Sequence, residues 1–168
     1  SLACLASAGV AVVRHRLCQS ETQALAAFDA LAGNGGSVVI KGCTPDASHK
    51  SELGLVRVGV ADAKGVSLVW HELHMAATTA GIRLSGIIVA ERVRGQREMM
   101  IGARLDPVFG PVVLVGDGGK YVEAMPDAQV LLPPFHMAQV ETALRKLRMA
   151  PLLEGVRGEP ALDVQAFC

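Results

Sequence analysis

The chain has 168 residues and a mass of 17.6 kDa, the size of one domain or of one piece of a longer protein. Hydrophobic residues make up 51% and charged residues 19%, which is enough for a packed core and too apolar for a disordered chain. Sixteen basic residues balance sixteen acidic ones and aromatics are 4%, which argues against nucleic-acid binding through a bulk field or a stacking platform.

In chain order, Leu2 to Ala8 reads as the last turns of a helix stopped by Gly9, with a strand at Val10 to Val13. Ser20 opens a helix: Ser20 and Gln23 form a capping-box pattern, and Ala24, Leu25, Phe28 and Leu31 recur at helical spacing. Ser37 to Ile40 is a β-branched strand leading into Lys41. Gly42 to Leu55 is polar and too long for an ordinary connection, so it reads as a functional loop. Val56 to Val60 alternates as a strand, and Ala63 to Ala80 is a helix ended by Gly81. Ile82 to Ala90 reads as a buried strand. Met99 to Ala103 and Pro111 to Gly116 are sheet strands separated by the Asp106-Pro107 and Gly110 turn. Gly116 to Gly119 is a tight loop before Tyr121 to Met125, and Pro126, Pro133 and Pro134 punctuate an exposed stretch. His136 to Arg148 is a further helix, followed by Pro151 to Arg157 and a loose tail ending at the onset of another helix, Leu162 to Phe167.

No apolar run approaches the ~18 to 20 residues needed to cross a bilayer, and the opening stretch lacks the basic region of a signal peptide. Cys4, Cys18, Cys43 and Cys168 show no CxxC pairing, which favours reduced, mostly buried thiols in a cytosolic protein over a disulfide framework or zinc site.

Val38-Val39-Ile40-Lys41 followed by Pro45-Asp46-Ala47-Ser48-His49-Lys50-Ser51 resembles the ATP-grasp domain of the nucleoside-diphosphate-forming acyl-CoA synthetases, where a strand ending in lysine precedes an S-P-x-x-x-H-K-[ST]-D loop. Other blocks agree in order. Gly86-Ile87-Ile88-Val89 is similar to the family's G-V-L-V strand, and Arg97-Glu98 with Ile101-Gly102 to its R-E-V-I-V-G segment. Asp106-Pro107 with Phe109-Gly110-Pro111 and Val112-Val113 is similar to D-P-x-F-G-P-V-V. Gly116, Gly118, Gly119, Val122, Glu123 and Asp127 follow G-L-G-G-I-F-V-E-I-L-K-D, and Pro151-Leu152-Leu153 with Gly155-Val156-Arg157-Gly158 follows P-L-L-x-G-V-R-G. The resemblance covers nearly the whole chain.

It implies an α+β ATP-grasp fold in two subdomains, residues 1–81 and 82–168, with a nucleotide cleft between them and the C-terminal metal-ligand tail missing. His49 is then a phosphoryl carrier assisted by Lys50. Taken alone, a histidine in a turn-rich loop is more often simply solvated, and a strand-end lysine such as Lys41 more often reaches water. The resemblance makes Lys41 a phosphate ligand, backbone atoms of Glu91 and Val93 the adenine hinge, and Glu98 a neighbour of the ribose. Gly118 and Gly119 become a backbone nest for phosphate and Glu123 a Mg²⁺ ligand. The implied cofactors are ATP or ADP and Mg²⁺, with CoA bound by a partner domain and a small carboxylic acid as substrate; self-association is left open.

The chain departs from the pattern at several places. Glu52 replaces an aspartate. Leu55 replaces a glycine, where a bulky side chain would obstruct backbone approach to phosphate. Asp117 replaces a leucine, and its carboxylate would repel phosphate unless a cation sits between. Leu131 stands where an arginine is usual, and no acidic-x-Asn motif follows. These departures define the competing reading: a non-catalytic nucleotide-binding module within a larger protein, for example one fused to an acyltransferase. His71-Glu72-Leu73-His74 is one residue short of a zinc-binding H-E-x-x-H and reads as a solvated helix face. Cys43 reads as a small buried residue, and Arg145, Lys146 and Arg148 as a helix end.

Overall fold

The computed structural model describes residues 2–33, 36–45, 53–95, 97–119 and 122–168. They divide into two compact units, Ser1–Arg94 and Gly95–Cys168. The boundary expected at residue 81 falls inside the first unit, because the strand that follows it belongs to that unit's sheet.

The first unit contains α1 (Leu2–Ser7), β1 (His15–Cys18), α2 (Glu21–Leu31), β2 (Val38–Cys43), β3 (Val56–Val60), α3 (Ala63–Thr79) and β4 (Gly86–Glu91). Its sheet has the order β1-β4-β2-β3 with every pair antiparallel. Both long helices start as their sequences dictate. The Ser20 hydroxyl accepts the Gln23 N–H at 3.3 Å, and Asp62 Oδ1 accepts the Gly65 N–H at 2.7 Å, each satisfying a donor that the first helical turn leaves open. Val66, Val69, Leu73 and Ala77 of α3, and Ala24, Ala27 and Leu31 of α2, bury one stripe each against Val38, Ile40, Ile87 and Val89 of the sheet. Each fully buried Val, Leu or Ile side chain there contributes about 1.5–3 kcal/mol relative to exposure. β4 lies between β1 and β2, which explains its nearly continuous apolar sequence.

Two expectations change here. Val10 to Val13 forms no strand; β1 lies at His15–Cys18, where Cys18 and its neighbours find partners from Ile87 to Ala90. The strand expected from Ile82 begins only at Gly86. The Ile82 N–H still closes the end of α3 on the Ala77 carbonyl at 2.8 Å, and the Ser85 N–H donates to the Cys43 carbonyl at 2.7 Å.

The second unit contains β5 (Met99–Asp106), β6 (Gly110–Asp117), β7 (Ala128–Leu131), α4 (Met137–Arg145), α5 (Ala150–Leu153) and α6 (Val164–Phe167). The three strands form an antiparallel meander in sequence order. Asp106 Oδ1 accepts the N–H groups of Val108 and Phe109 at 2.9 and 3.1 Å, a side-chain turn that closes the β5–β6 hairpin. Val113, Val115 and Leu131 of the sheet pack against Val140, Ala143, Leu144, Leu147 and Leu153. β7 occupies what the sequence suggests is an exposed stretch. It is a four-residue edge strand between prolines, short enough to escape notice by alternation. Among the described residues, no helix is long and apolar enough to cross a membrane.

Candidate functional site

Lys41 sits inside β2, paired with Val56 and Ile88. It does not end the strand, as the sequence suggested, because Gly42 and Cys43 continue the ladder onto Ile87 and Gly86. Its neighbours Ile40 and Gly42 are buried whereas Lys41 is exposed, as the period of two requires. The ammonium is therefore presented on the face of the sheet opposite the core.

His49 and Lys50 lie outside the described residues; the two roots of their segment do not. At the upstream root, the Cys43 carbonyl accepts both the N–H and the hydroxyl of Ser85, and Thr44 is buried. At the downstream root, Leu55 is fully buried in the first core, and its carbonyl accepts the Gly42 N–H at 2.8 Å. The expected obstruction by Leu55 is thus corrected: its side chain fills the interior against Gly42, the glycine whose added Cβ would press on Leu84 and Leu55. Arg57 completes this root. Its Nη1 donates to the carbonyls of Gly54 at 2.8 Å and Val56 at 3.1 Å, while Nε pairs with Glu72 at 3.1 Å. Nothing in the sequence spacing singles out Arg57.

Glu91 ends β4, and its carboxylate grips Arg14 twice: Oε1 accepts the Arg14 backbone N–H at 2.9 Å and Oε2 accepts its Nε–H at 2.7 Å. The Arg14 backbone N–H, and then its guanidinium, hold the Glu91 carboxyl below its ordinary value. The Glu91 N–H itself donates to the Arg14 carbonyl at 3.0 Å. Val93 is exposed in the segment that follows.

In the second unit the structure brings Glu98, Gly118 and Gly119 together. Met99 pairs with Asp117, so the residues just outside the ladder face each other. The Gly118 N–H donates to the Glu98 carbonyl at 3.0 Å. A Cβ added to Gly119, which has φ +79°, would lie 3.2 Å from Glu98 Oε2; the carboxylate rests over a backbone that only glycine leaves open. The tight loop expected from Gly116 to Gly119 is shorter in the structure. Gly116 and Asp117 belong to β6, and the Gly118 N–H is already taken by the Glu98 carbonyl and by Asp117 Oδ1 at 3.1 Å. The cation needed beside Asp117 is present: Arg97 Nη2 lies 3.0 Å from Asp117 Oδ2. Glu123 lies exposed on the turn beyond. Leu131 sits in β7, packed into the second core.

The H-E-L-H segment divides its contacts: His71 pairs with Glu21 at 3.2 Å, Glu72 with Arg57, and His74 bonds the Trp70 carbonyl. Among the described residues, no group of three or more His, Cys, Asp or Glu is placed to hold a metal ion by itself. A Mg²⁺ ion held through nucleotide oxygens and water needs only one or two carboxylates, and Glu123 fits that smaller requirement. Arg145 pairs with Glu141 at 2.7 Å at the end of α4, as a helix-end role requires. Cys43 is half-buried.

The family model of the ATP-grasp domain matches residues 1–168. The chain is 30% identical over 158 residues to the ADP-forming 4-hydroxybutyrate–CoA ligase of Nitrosopumilus maritimus, covering 93% of this chain and 22% of that protein. It thus spans about a fifth of the length of such relatives. The dinucleotide forming acetyl-coenzyme A synthetase 1 of Ca. Korarchaeum cryptofilum, solved with coenzyme A, Ca-AMPCP and HgCl⁺, superposes with a TM-score of 0.89 at 29% identity, over 98% of this chain and 72% of that one. The same synthetase with coenzyme A and Mg-AMPPCP, its phosphohistidine segment pointing towards the nucleotide binding site, gives 0.78 at 28% identity, over 96% and 68% of the two chains. The α+β expectation and the resemblance agree with these matches, and relatives that are ligases do not favour a module without turnover. The chain belongs to the ATP-grasp domain family.

Proposed function

We propose that this domain performs the nucleotide half-reaction of an ADP-forming acid–CoA ligase. Phosphate passes between His49 and ADP or ATP, coupled to acyl-CoA + phosphate + ADP ⇌ carboxylic acid + CoA + ATP. The observation that carries this reading is the convergence of the Glu98 carboxylate on the Gly118–Gly119 backbone at adjoining strand ends. That arrangement places a carboxylate for ribose hydroxyls at the strand ends, where the two glycines leave room for Glu98 itself.

In this reading the Glu91 carbonyl and the Val93 N–H form the adenine hinge, since the Glu91 N–H is committed to Arg14. Lys41, presented to solvent from β2, takes the phosphates as a point charge, with Lys50 beside the reacting histidine. The neutral His49 imidazole attacks the terminal phosphorus of ATP; the P–N bond forms as the P–O bond to ADP breaks. Glu123 would hold Mg²⁺, which when bound neutralises phosphate oxygens. The protein's own contribution is positioning and fixed charge, which dominate phosphoryl transfer. The Korarchaeum synthetase has a phosphohistidine segment that points towards its nucleotide binding site, which fits a reaction in which phosphate passes through a histidine. CoA and the acyl group belong to a partner domain, consistent with the far greater length of the ligase relatives. The unpaired cysteines fit a cytoplasmic setting.

Incubating the intact protein with terminally labelled ATP and Mg²⁺ tests this. Label that survives base, is lost in acid and disappears in His49→Ala is the expected result. ATP binding with no label on His49 would refute the relay.

A further inference from the structure

A carboxylate at a phosphate-binding loop works against its ligand, and Asp117 stands directly before Gly118 and Gly119. Its surroundings resolve the conflict. Arg97 Nη2 meets Asp117 Oδ2 at 3.0 Å, with the two side chains only 29% and 24% exposed, so the pair is shielded from water where its attraction is stronger. The other Asp117 oxygen accepts the Gly118 N–H. Arg97 is followed by Glu98, whose carbonyl accepts the same N–H and whose carboxylate lies over Gly119. The Arg97 Nε–H is buried without an acceptor among the described residues, so this donor stays unused beside the bond to Asp117. One ion pair therefore spans the backbone on both sides of the candidate nucleotide contact.

We propose that Arg97 is the charge-compensating residue of the nucleotide site: it cancels the Asp117 carboxylate beside Gly118 and Gly119, so that a phosphate-bearing ligand can approach. This rests on the nucleotide reading of Glu98, Gly118 and Gly119. Removing the guanidinium while keeping the carboxylate leaves a negative charge that a nucleoside diphosphate feels and an uncharged nucleoside does not. Loss of fold or of loop shape would weaken both ligands alike.

Calorimetric titration of ADP with Mg²⁺, and separately of adenosine, into the intact protein distinguishes these effects. Arg97→Gln weakens ADP by about tenfold or more, while adenosine stays within about twofold. The double variant Arg97→Gln with Asp117→Asn, neutral on both sides, recovers ADP to within about threefold of wild type, as a double-mutant cycle of a charge pair requires. Arg97→Lys keeps the charge and the affinity, and serves if Arg97→Gln does not fold. Equal losses for ADP and adenosine, unchanged ADP affinity in Arg97→Gln, failed recovery in the double variant, or a tenfold loss in Arg97→Lys would each overturn the proposal. A wild-type protein that binds neither ligand would instead refute the nucleotide reading and this inference together.

Discussion

Leu55 illustrates how one side chain acquires its role from what surrounds it. At a position where the resemblance implies glycine, it is buried to 0% exposure in the first core, near Gly42 and Leu84. Leu55→Gly removes four side-chain carbons from that core and adds backbone freedom, so a loss of about 3–5 kcal/mol is expected. Denaturant melts measure it; a loss below about 1 kcal/mol would mean that the cavity collapses. Glu91 gives a pH signature. Its carboxyl is held below the ordinary value by the Arg14 backbone N–H and guanidinium, so its stabilisation is present above the unfolded pKa of about 4.3 and fades as pH falls through the lower folded value. Glu91→Gln should flatten the acid limb of the stability curve below about pH 4 and leave its shape near neutrality unaltered, which acid titrations followed by circular dichroism will reveal. Motif order pointed to Glu98, Gly118 and Gly119 from the sequence. Arg57 and Arg97 were not legible as structural partners, because their carboxylates are brought to them by strand register and packing, not by spacing.

At the scale of elements, the sequence was clearest where local chemistry decides the outcome. Ser20 and Asp62 cap α2 and α3 from within three residues, and both helices carry apolar stripes, so both were readable. Strands depend on distant partners. Val10 to Val13 has strand composition but no ladder, whereas β1 gains its place from β4, more than sixty positions along the chain. β7 was missed for the converse reason: its four residues between prolines form an edge only because β6 supplies the Val113 to Gly116 ladder. The close β6–β7 approach leaves no room for a Cβ at Gly116, which would strike the Asp127 carbonyl.

At the scale of the molecule, the described residues form two cores and two sheets, so that each unit holds its own buried apolar surface. The segment Arg92 to Gly95 is exposed and joins them. Brief trypsin treatment of the native protein should cut first at Arg92 or Arg94 and release pieces that end and begin there; mass spectrometry of early products would contradict this if cleavage began inside α2 or α3. The roots at Cys43–Thr44 and Gly54–Leu55 carry a further consequence. Both are fastened within the first unit, and His49 stands five residues beyond Thr44 in the chain. A taut peptide covers about 3.3–3.6 Å per residue, which sets a leash of roughly 18 Å on the distance its Cα can travel from that buckle. In the proposed relay, His49 adds only the length of its own side chain to that reach, so its phosphate donor and acceptor must both come within it.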